Sequence, residues 1–207
     1  NDFVAALLQR MTLAEKIGQL NLLSAGEGPD TGSAGVRNIR ARLEAGQLGA
    51  IFGTKSVRSV RAWQELALEG SRHRIPLFFA EDVIHGHRTI FPLNIALAGA
   101  FDPALWREVA RVSAREAAAE GINHVYGPMV DIARDPRWGR VAESPGEDPF
   151  LAARYAEAMV DGLEGSDPRA ADTVVACLKH FLAYGAGAGG RDYDNVSIGP
   201  QELIGVY

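Results

Sequence analysis

Apolar positions along the chain fall into two alternating rhythms. Residues 3–11 place their apolar side chains at helical spacing, and Thr12 with Glu15 spells a capping box for the turn that follows. Residues 18–24 (GQLNLLS) read as a strand, and a loop rich in Gly, Ser and Asp covers 25–35. Val36, Ile39 and Leu43 then predict a helix over 36–45, and GAIFG at 49–53 a short buried strand. Val60, Trp63, Leu66 and Ala67 mark the core face of a helix over 57–72. Residues 76–82 (PLFFAED) form a strand that ends in two carboxylates. Asp102 and Pro103 open a helix that runs to Glu120 and stops at Gly121. A strand over 124–132, a helix from Asp148-Pro149 to near Gly165, a strand around 174–178 and a helix from Pro200 complete the series.

Strand and helix alternate throughout, and the strands read as continuous apolar runs. That pattern predicts a parallel sheet with both faces covered, hence the α/β class. Polar residues collect where the strands end: Glu81 and Asp82, then Asp131 with Arg134 and Asp135, then Lys179 and His180. In a TIM barrel chemistry sits at those ends. A doubly wound sheet also binds ligands there, so this placement leaves both folds open.

Composition narrows the function classes. Of 207 residues, 47% are hydrophobic and 23% charged, ordinary for a globular protein with a real core. The net charge of -5 argues against a nucleic-acid footprint, which would be basic. No apolar run approaches the length of a membrane span. The single cysteine, Cys177, cannot form an internal disulfide and reads as inert core within its strand.

Three stretches carry candidate chemistry. In AEDVIHGHRTIFP, the residues Asp82, His85 and His87 could hold a metal, because two imidazoles and a carboxylate lie close in sequence. A loop held by local hydrogen bonds is the plainer reading, with Asp82 as an acceptor for hydroxyls. In DIARDPRWGRVAESPGEDP, the residues Arg137, Arg140, Glu143 and Glu147 could form a lattice that shapes a long loop and leaves one arginine for a ligand. In VVACLKHFLAYGAGAGG, an apolar strand runs straight into Lys179 and His180. A buried unpaired lysine is costly, so something anionic or rich in hydroxyls must meet it. A Schiff-base role for Lys179 would want an apolar pocket, and the neighbouring His180 and acidic loops favour hydrogen bonding instead. Gly185, Gly187 and Gly190 match G-x-G-x-x-G, but no helix opens after them, so a phosphate loop is not supported.

Together PLFFAEDVIHGHRTIFP, GPMVDIARDPRWGRVAESPGEDP and LKHFLAYGAGAGG, with MTLAEKIGQL near the start, resemble the N-terminal catalytic domain of glycoside hydrolase family 3. The likeness covers residues 1–207 as the N-terminal part of one barrel domain, and within the family it leans toward bacterial periplasmic β-glucosidases. It implies a (β/α)8 TIM-barrel type of fold, incomplete here at about five strands. It implies hydrolysis of terminal non-reducing β-D-glucosyl or related β-glycosyl residues with retention, without a cofactor. Asp82, Arg140, Lys179 and His180 would bind the sugar hydroxyls. The family's N-acetylglucosaminidases carry a histidine in the loop after the Lys-His-Phe motif; none follows His180, which favours the glucosidase or xylosidase branch. The family's nucleophile and acid/base would lie beyond Tyr207, so the likeness implies a fragment that the rest of its parent completes. The implied partner is a β-linked oligosaccharide or glycoside, with neither nucleic acid nor membrane, and the implied location is periplasmic or secreted. A non-catalytic sugar-binding remnant and a metal-dependent hydrolase using Asp82, His85 and His87 are the rival readings.

One backbone expectation follows. Neighbouring side chains on a regular strand point to opposite faces. Lys179 and His180 can face one sugar together only if the alternation breaks between residues 179 and 181. The likeness implies a non-prolyl cis bond there.

Overall fold

The computed structural model of the chain describes residues 2–24, 39–54 and 56–207. The loop expected at 25–35 and the first turn of the helix expected at 36–45 lie outside them. The chain divides into two compact units, Asn1–Glu81 with Glu120–His124, and Asp82–Ala119 with Val125–Tyr207.

The first unit contains α1 (Asp2–Arg10), α2 (Leu13–Gly18), β1 (Leu22–Ser24), α3 (Ile39–Glu44), β2 (Ala50–Phe52), α4 (Val57–Gly70) and β3 (Phe78–Glu81). The capping box is present. Thr12 accepts from the Glu15 amide at 3.2 Å, and Glu15 Oε2 accepts from the Thr12 amide at 2.7 Å. β1, β2 and β3 pair in parallel, with Leu22 beside Ala50 and Ala50 beside Phe78. Ile51 and Phe79 are fully buried, and Leu43, Val60 and Ala67 are buried on the helices. The strand expected at 18–24 begins only at Leu22, because Gly18 still belongs to the capped helix.

The second unit carries α5 (Asn94–Ala98), α6 (Pro103–Ala119), the end of β4 (His124–Val125), α7 (Pro149–Glu164), β5 (Val175–Ala176) and α8 (Pro200–Gly205). Asp102 caps α6 by accepting from the amides of Ala104 and Leu105, and Asp148 caps α7 through the Leu151 amide. The two long helices pack closely. Trp106 on α6 meets Tyr155 on α7 edge to face, with ring centroids 5.4 Å apart, and donates from its indole nitrogen to the Leu97 carbonyl at 2.7 Å.

Two expected strands are shorter than their apolar runs. β4 stops at Val125, where the run 124–132 continues through Tyr126, Gly127 and Pro128. Pro128 has no amide hydrogen to continue a ladder, and the Gly127–Pro128 bond is cis. Pairing still follows the chain loosely. Cys177 donates to the carbonyls of Val125 and Gly127, Lys179 donates to Pro128, and Val130 donates to Lys179. This irregular ladder brings the ends of the two runs side by side. Burial of β5 is also lighter than expected for a strand covered on both faces. Val175 and Leu178 are exposed and Cys177 is half-buried, so Cys177 is not the inert core residue its neighbours suggest.

Candidate functional site

Lys179 answers the cost of its place at the end of an apolar strand with an ion pair. Its ammonium donates to Asp82 Oδ1 at 2.5 Å, across 97 residues of sequence. The lysine side chain is only 14% exposed and the carboxylate 44%, so the pair sits at a rim, with the acid more open to solvent than the base. Asp82 reaches it because it is the first residue after β3.

His180 turns to a different acid. The Lys179–His180 peptide is cis, as is Phe181–Leu182, so the irregular backbone expected in this tripeptide is present. The main-chain amide of His180 donates to Asp131 Oδ2 at 3.1 Å, and its ring Nδ1 lies 2.7 Å from the same oxygen. On the ring's other side, Arg140 Nη1 is 3.3 Å from Nε2. Arg140 is itself held by a two-pronged bond to Glu143, from Nε to Oε1 at 2.8 Å and from Nη2 to Oε2 at 2.6 Å. That fork is the strong form of a carboxylate–guanidinium contact. It pushes the Arg140 pKa upward and holds the Glu143 carboxyl below its usual range, with the Arg140 and Lys179 charges adding to the effect against burial.

An aromatic wall backs these groups. Tyr184 packs edge to face on His180 with centroids 4.6 Å apart, and the Arg140 guanidinium lies 5.4 Å from the centre of the Tyr184 ring. The Tyr184 hydroxyl donates to Asp192 Oδ1 at 2.5 Å, and the Trp138 indole donates to the same oxygen at 2.9 Å. Burial, then the bond to Asp192, pushes the Tyr184 phenol upward, while Tyr184 and Trp138 hold the Asp192 carboxyl down. Gly185 lets this loop close: a Cβ there would sit 2.4 Å from the Ile132 carbonyl oxygen.

All four residues nominated from sequence thus lie in one cluster: Asp82 on Lys179, and Arg140 on His180. The lattice expected in the long loop is realised among the described residues by Arg140 with Glu143, while Arg137 turns to Asp135 with a bond of 2.7 Å. The metal reading is corrected. Asp82 is committed to Lys179, and His85 Nδ1 faces the Phe91 carbonyl at 3.1 Å. Among the described residues no group of three or more His, Cys, Asp or Glu is arranged to hold an ion. The glycine run folds into two 3-10 turns, Tyr184–Ala186 and Ala188–Gly190, and not into a helix N-terminus. Three supporting residues carried no role in the sequence reading, Trp138, Tyr184 and Asp192, while Glu143 was expected in the loop lattice and Asp131 among the polar strand ends, neither as a support of the site. Asp131 follows an apolar run as Asp82 does, and that rule placed it at a strand end without giving it a partner. Tyr184 and Asp192 carry no local signal, because their roles depend on where the loop lands.

Comparison with known proteins fixes the family. Residues 12–207 match the model of the glycosyl hydrolase family 3 N terminal domain. The chain belongs to glycosyl hydrolase family 3. A family relative, the periplasmic beta-glucosidase of Salmonella typhimurium, is 45% identical over 205 residues, covering 99% of this chain and 26% of that protein. The beta-xylosidase/alpha-L-arabinofuranosidase 2 of Medicago sativa is 33% identical over 87% of this chain and 21% of its own. Among solved structures, the beta-glucosidase from Listeria innocua in complex with isofagomine matches with a TM-score of 0.89 and 41% identity, over 99% of this chain and 29% of that one. The same enzyme with glucose gives 0.86 and 40%. The chain therefore spans about a quarter of the length of these curated relatives. The expected fold class holds: an α/β fold of TIM-barrel type, with five strands among the described residues where a closed barrel has eight.

Proposed function

We propose that this chain supplies the groups that hold the non-reducing sugar in a retaining β-glycosidase acting on terminal β-D-glucosyl or closely related units. One observation carries the reading. An ion pair, Asp82 with Lys179, and a hydrogen-bonded contact, Arg140 with His180, meet at the adjacent residues Lys179 and His180 and offer both donors and acceptors on a partly solvated rim. A sugar hydroxyl both donates and accepts, so it can bridge such groups while water leaves. The proposed contacts are Asp82, Arg140, Lys179 and His180. The matched Listeria enzyme, solved with glucose, supports a glucosyl unit as the ligand class.

Retention needs a nucleophile and an acid/base carboxyl about 5 Å apart. Each carboxylate of the cluster is already engaged: Asp82 by Lys179, Asp131 by His180, Glu143 by Arg140, and Asp192 by Trp138 and Tyr184. The reading gives these carboxylates binding and positioning roles and assigns neither catalytic carboxyl to a residue of this chain. Residues 1–207 are read as one stretch of the barrel domain, and the name of the periplasmic Salmonella relative supports a location in the periplasm or outside the cell. No helix among the described residues is long and apolar enough to cross a membrane.

The test is hydrolysis by the intact protein of aryl β-glucosides and aryl β-xylosides, with the anomer of the first-formed sugar followed by proton NMR. Release of β-glucose first supports the proposal. Release of the α-anomer would remove retention. Binding of gluconolactone without any hydrolysis would favour the sugar-binding remnant.

A further inference from the structure

Asp131 is almost wholly enclosed, with its side chain 2% exposed, and both hydrogen bonds that reach its Oδ2 come from one residue. We propose that Asp131 is a positioning residue: it fixes His180 as the Nδ1–H tautomer and so presents Nε2 to the substrate as a hydrogen-bond acceptor. The inference rests on the sugar-binding reading for its consequence, though not for its geometry.

The assignment follows from what each neighbour can do. A neutral imidazole has one donor and one acceptor nitrogen. A carboxylate facing Nδ1 can only accept, so Nδ1 carries the hydrogen and Nε2 keeps its lone pair. Arg140 gives the same answer from the opposite side. A guanidinium has no acceptor, and its Nη1 lies 3.3 Å from Nε2, where only an unprotonated nitrogen is welcome. Two independent partners, on two sides of the ring, thus select one tautomer.

Asp131 is held in turn. The hydroxyl of Ser144, a fully buried residue, donates to the Asp131 main-chain carbonyl at 2.7 Å. Ser144 directly follows the 3-10 turn Val141–Glu143, whose Glu143 anchors Arg140. One short turn therefore sets both the residue behind His180 and the residue in front of it. A carboxylate that merely tied two loops together would not need the ring nitrogen. Here the main-chain amide alone would make the tie, and the same oxygen also orients the imidazole. With Nε2 accepting, the rim offers two acceptors, Asp82 and His180, beside two donors, Lys179 and Arg140. A hydroxyl can insert between the two, donating to Nε2 in place of the direct 3.3 Å contact and accepting from Arg140.

The experiment uses the intact protein with its five histidines labelled with 15N in the ring. Long-range proton–nitrogen spectra report the tautomer of each ring, and His180→Gln assigns the His180 signals. The expected wild-type spectrum has Nδ1 protonated and Nε2 bare. Asp131→Ala leaves Arg140 as the remaining selecting partner, so a population protonated at Nε2 should appear beside the wild-type form. Asp131→Asn should largely keep it, because the amide carbonyl can still accept both bonds. A wild-type ring protonated at Nε2, or an Asp131→Ala ring unchanged from wild type, would overturn the proposal. If Asp131→Ala does not fold, the wild-type and Asp131→Asn spectra decide.

Kinetics supply the second arm, with 3-, 4- and 6-deoxyfluoro aryl β-glucosides. Fluorine cannot donate, so replacing the hydroxyl that meets Nε2 should depress kcat/KM tenfold or more in the wild type, and much less once Asp131 is alanine. Equal discrimination by both proteins would refute the acceptor role. Failure of the glycosidase reading looks different: no protein would hydrolyse any glucoside, while the tautomer spectrum would stand.

Discussion

Replacing Asp82 by alanine strips Lys179 of its counter-charge at the centre of the proposed site. The lysine side chain is 14% exposed, so water replaces the lost carboxylate only in part, while Asp82 itself is 44% exposed. The pair lies between an exposed ion pair, worth up to about 1 kcal/mol, and a buried one, whose breaking costs about 3–5 kcal/mol. A stability loss of about 1–2 kcal/mol is expected. The effect on activity should be larger. Removing one charge-assisted hydrogen bond to the sugar costs about 1.5–3 kcal/mol, or roughly a 10- to 150-fold drop in kcat/KM.

The assay is kcat/KM for an aryl β-glucoside with the intact wild type, Asp82→Ala, Asp82→Asn, Lys179→Met and the Asp82→Ala/Lys179→Met double variant. The double variant separates two roles. If Asp82 only holds Lys179, its removal costs nothing further once the lysine is gone. If Asp82 also meets a sugar hydroxyl, a further loss remains. An Asp82→Ala protein that folds and keeps wild-type kcat/KM would refute the assignment of Asp82 to the sugar.

Arg140→Lys should lower kcat/KM tenfold or more, because an ammonium cannot hold both Glu143 oxygens and still reach His180 Nε2; an unchanged rate would show that the fork is immaterial. Gly162→Ala places a Cβ 2.4 Å from the Arg107 carbonyl oxygen and 2.6 Å from Ala110 Cβ, so α6 and α7 must move apart; the expected cost is about 1–3 kcal/mol, read as a lower Tm, and an unaltered Tm would contradict the close approach. Glu143 has its carboxyl held down in the folded protein, so it binds a proton less readily folded than unfolded. Its contribution is present at neutral pH and is lost as the pH falls through its lowered folded value. Denaturant midpoints from pH 7 to pH 3 should therefore fall less steeply for Glu143→Gln than for the wild type, and parallel curves would remove the Arg140–Glu143 pair as their cause.

The helices were legible because their signals are local. Thr12 with Glu15, Asp102 with Pro103, and Asp148 with Pro149 each announce a start within four residues, and all three caps are made as expected. Strand lengths were not, since an apolar run does not say where pairing partners end. The run through 124–132 contains Pro128, which cannot donate, and its strand closes at Val125. The metal reading failed for a related reason. Asp82, His85 and His87 are near in sequence, yet the partner that claims Asp82 lies 97 residues away.

The site was legible to the extent that charge in an apolar context is itself a signal. Lys179 and His180 stood out because nothing in their own strand could satisfy them, and each needed a carboxylate from elsewhere. Sequence could pose that demand for both residues, and only the family likeness set an acid, Asp82, in the same site. Asp131 has the same credentials: an acid directly after an apolar run, in a stretch that ends beside Lys179. What it lacks is exposure, and a search for groups that meet a ligand passes over an acid that meets only another side chain. The structure turns that order around. The residues that touch solvent, Asp82, Arg140, Lys179 and His180, have their geometry set from behind by Asp131, Glu143, Ser144 and Tyr184. Such support comes from loop residues whose partners are fixed only when the chain has folded, so an account that stops at the ligand-facing residues explains which groups are present but not why they point where they do.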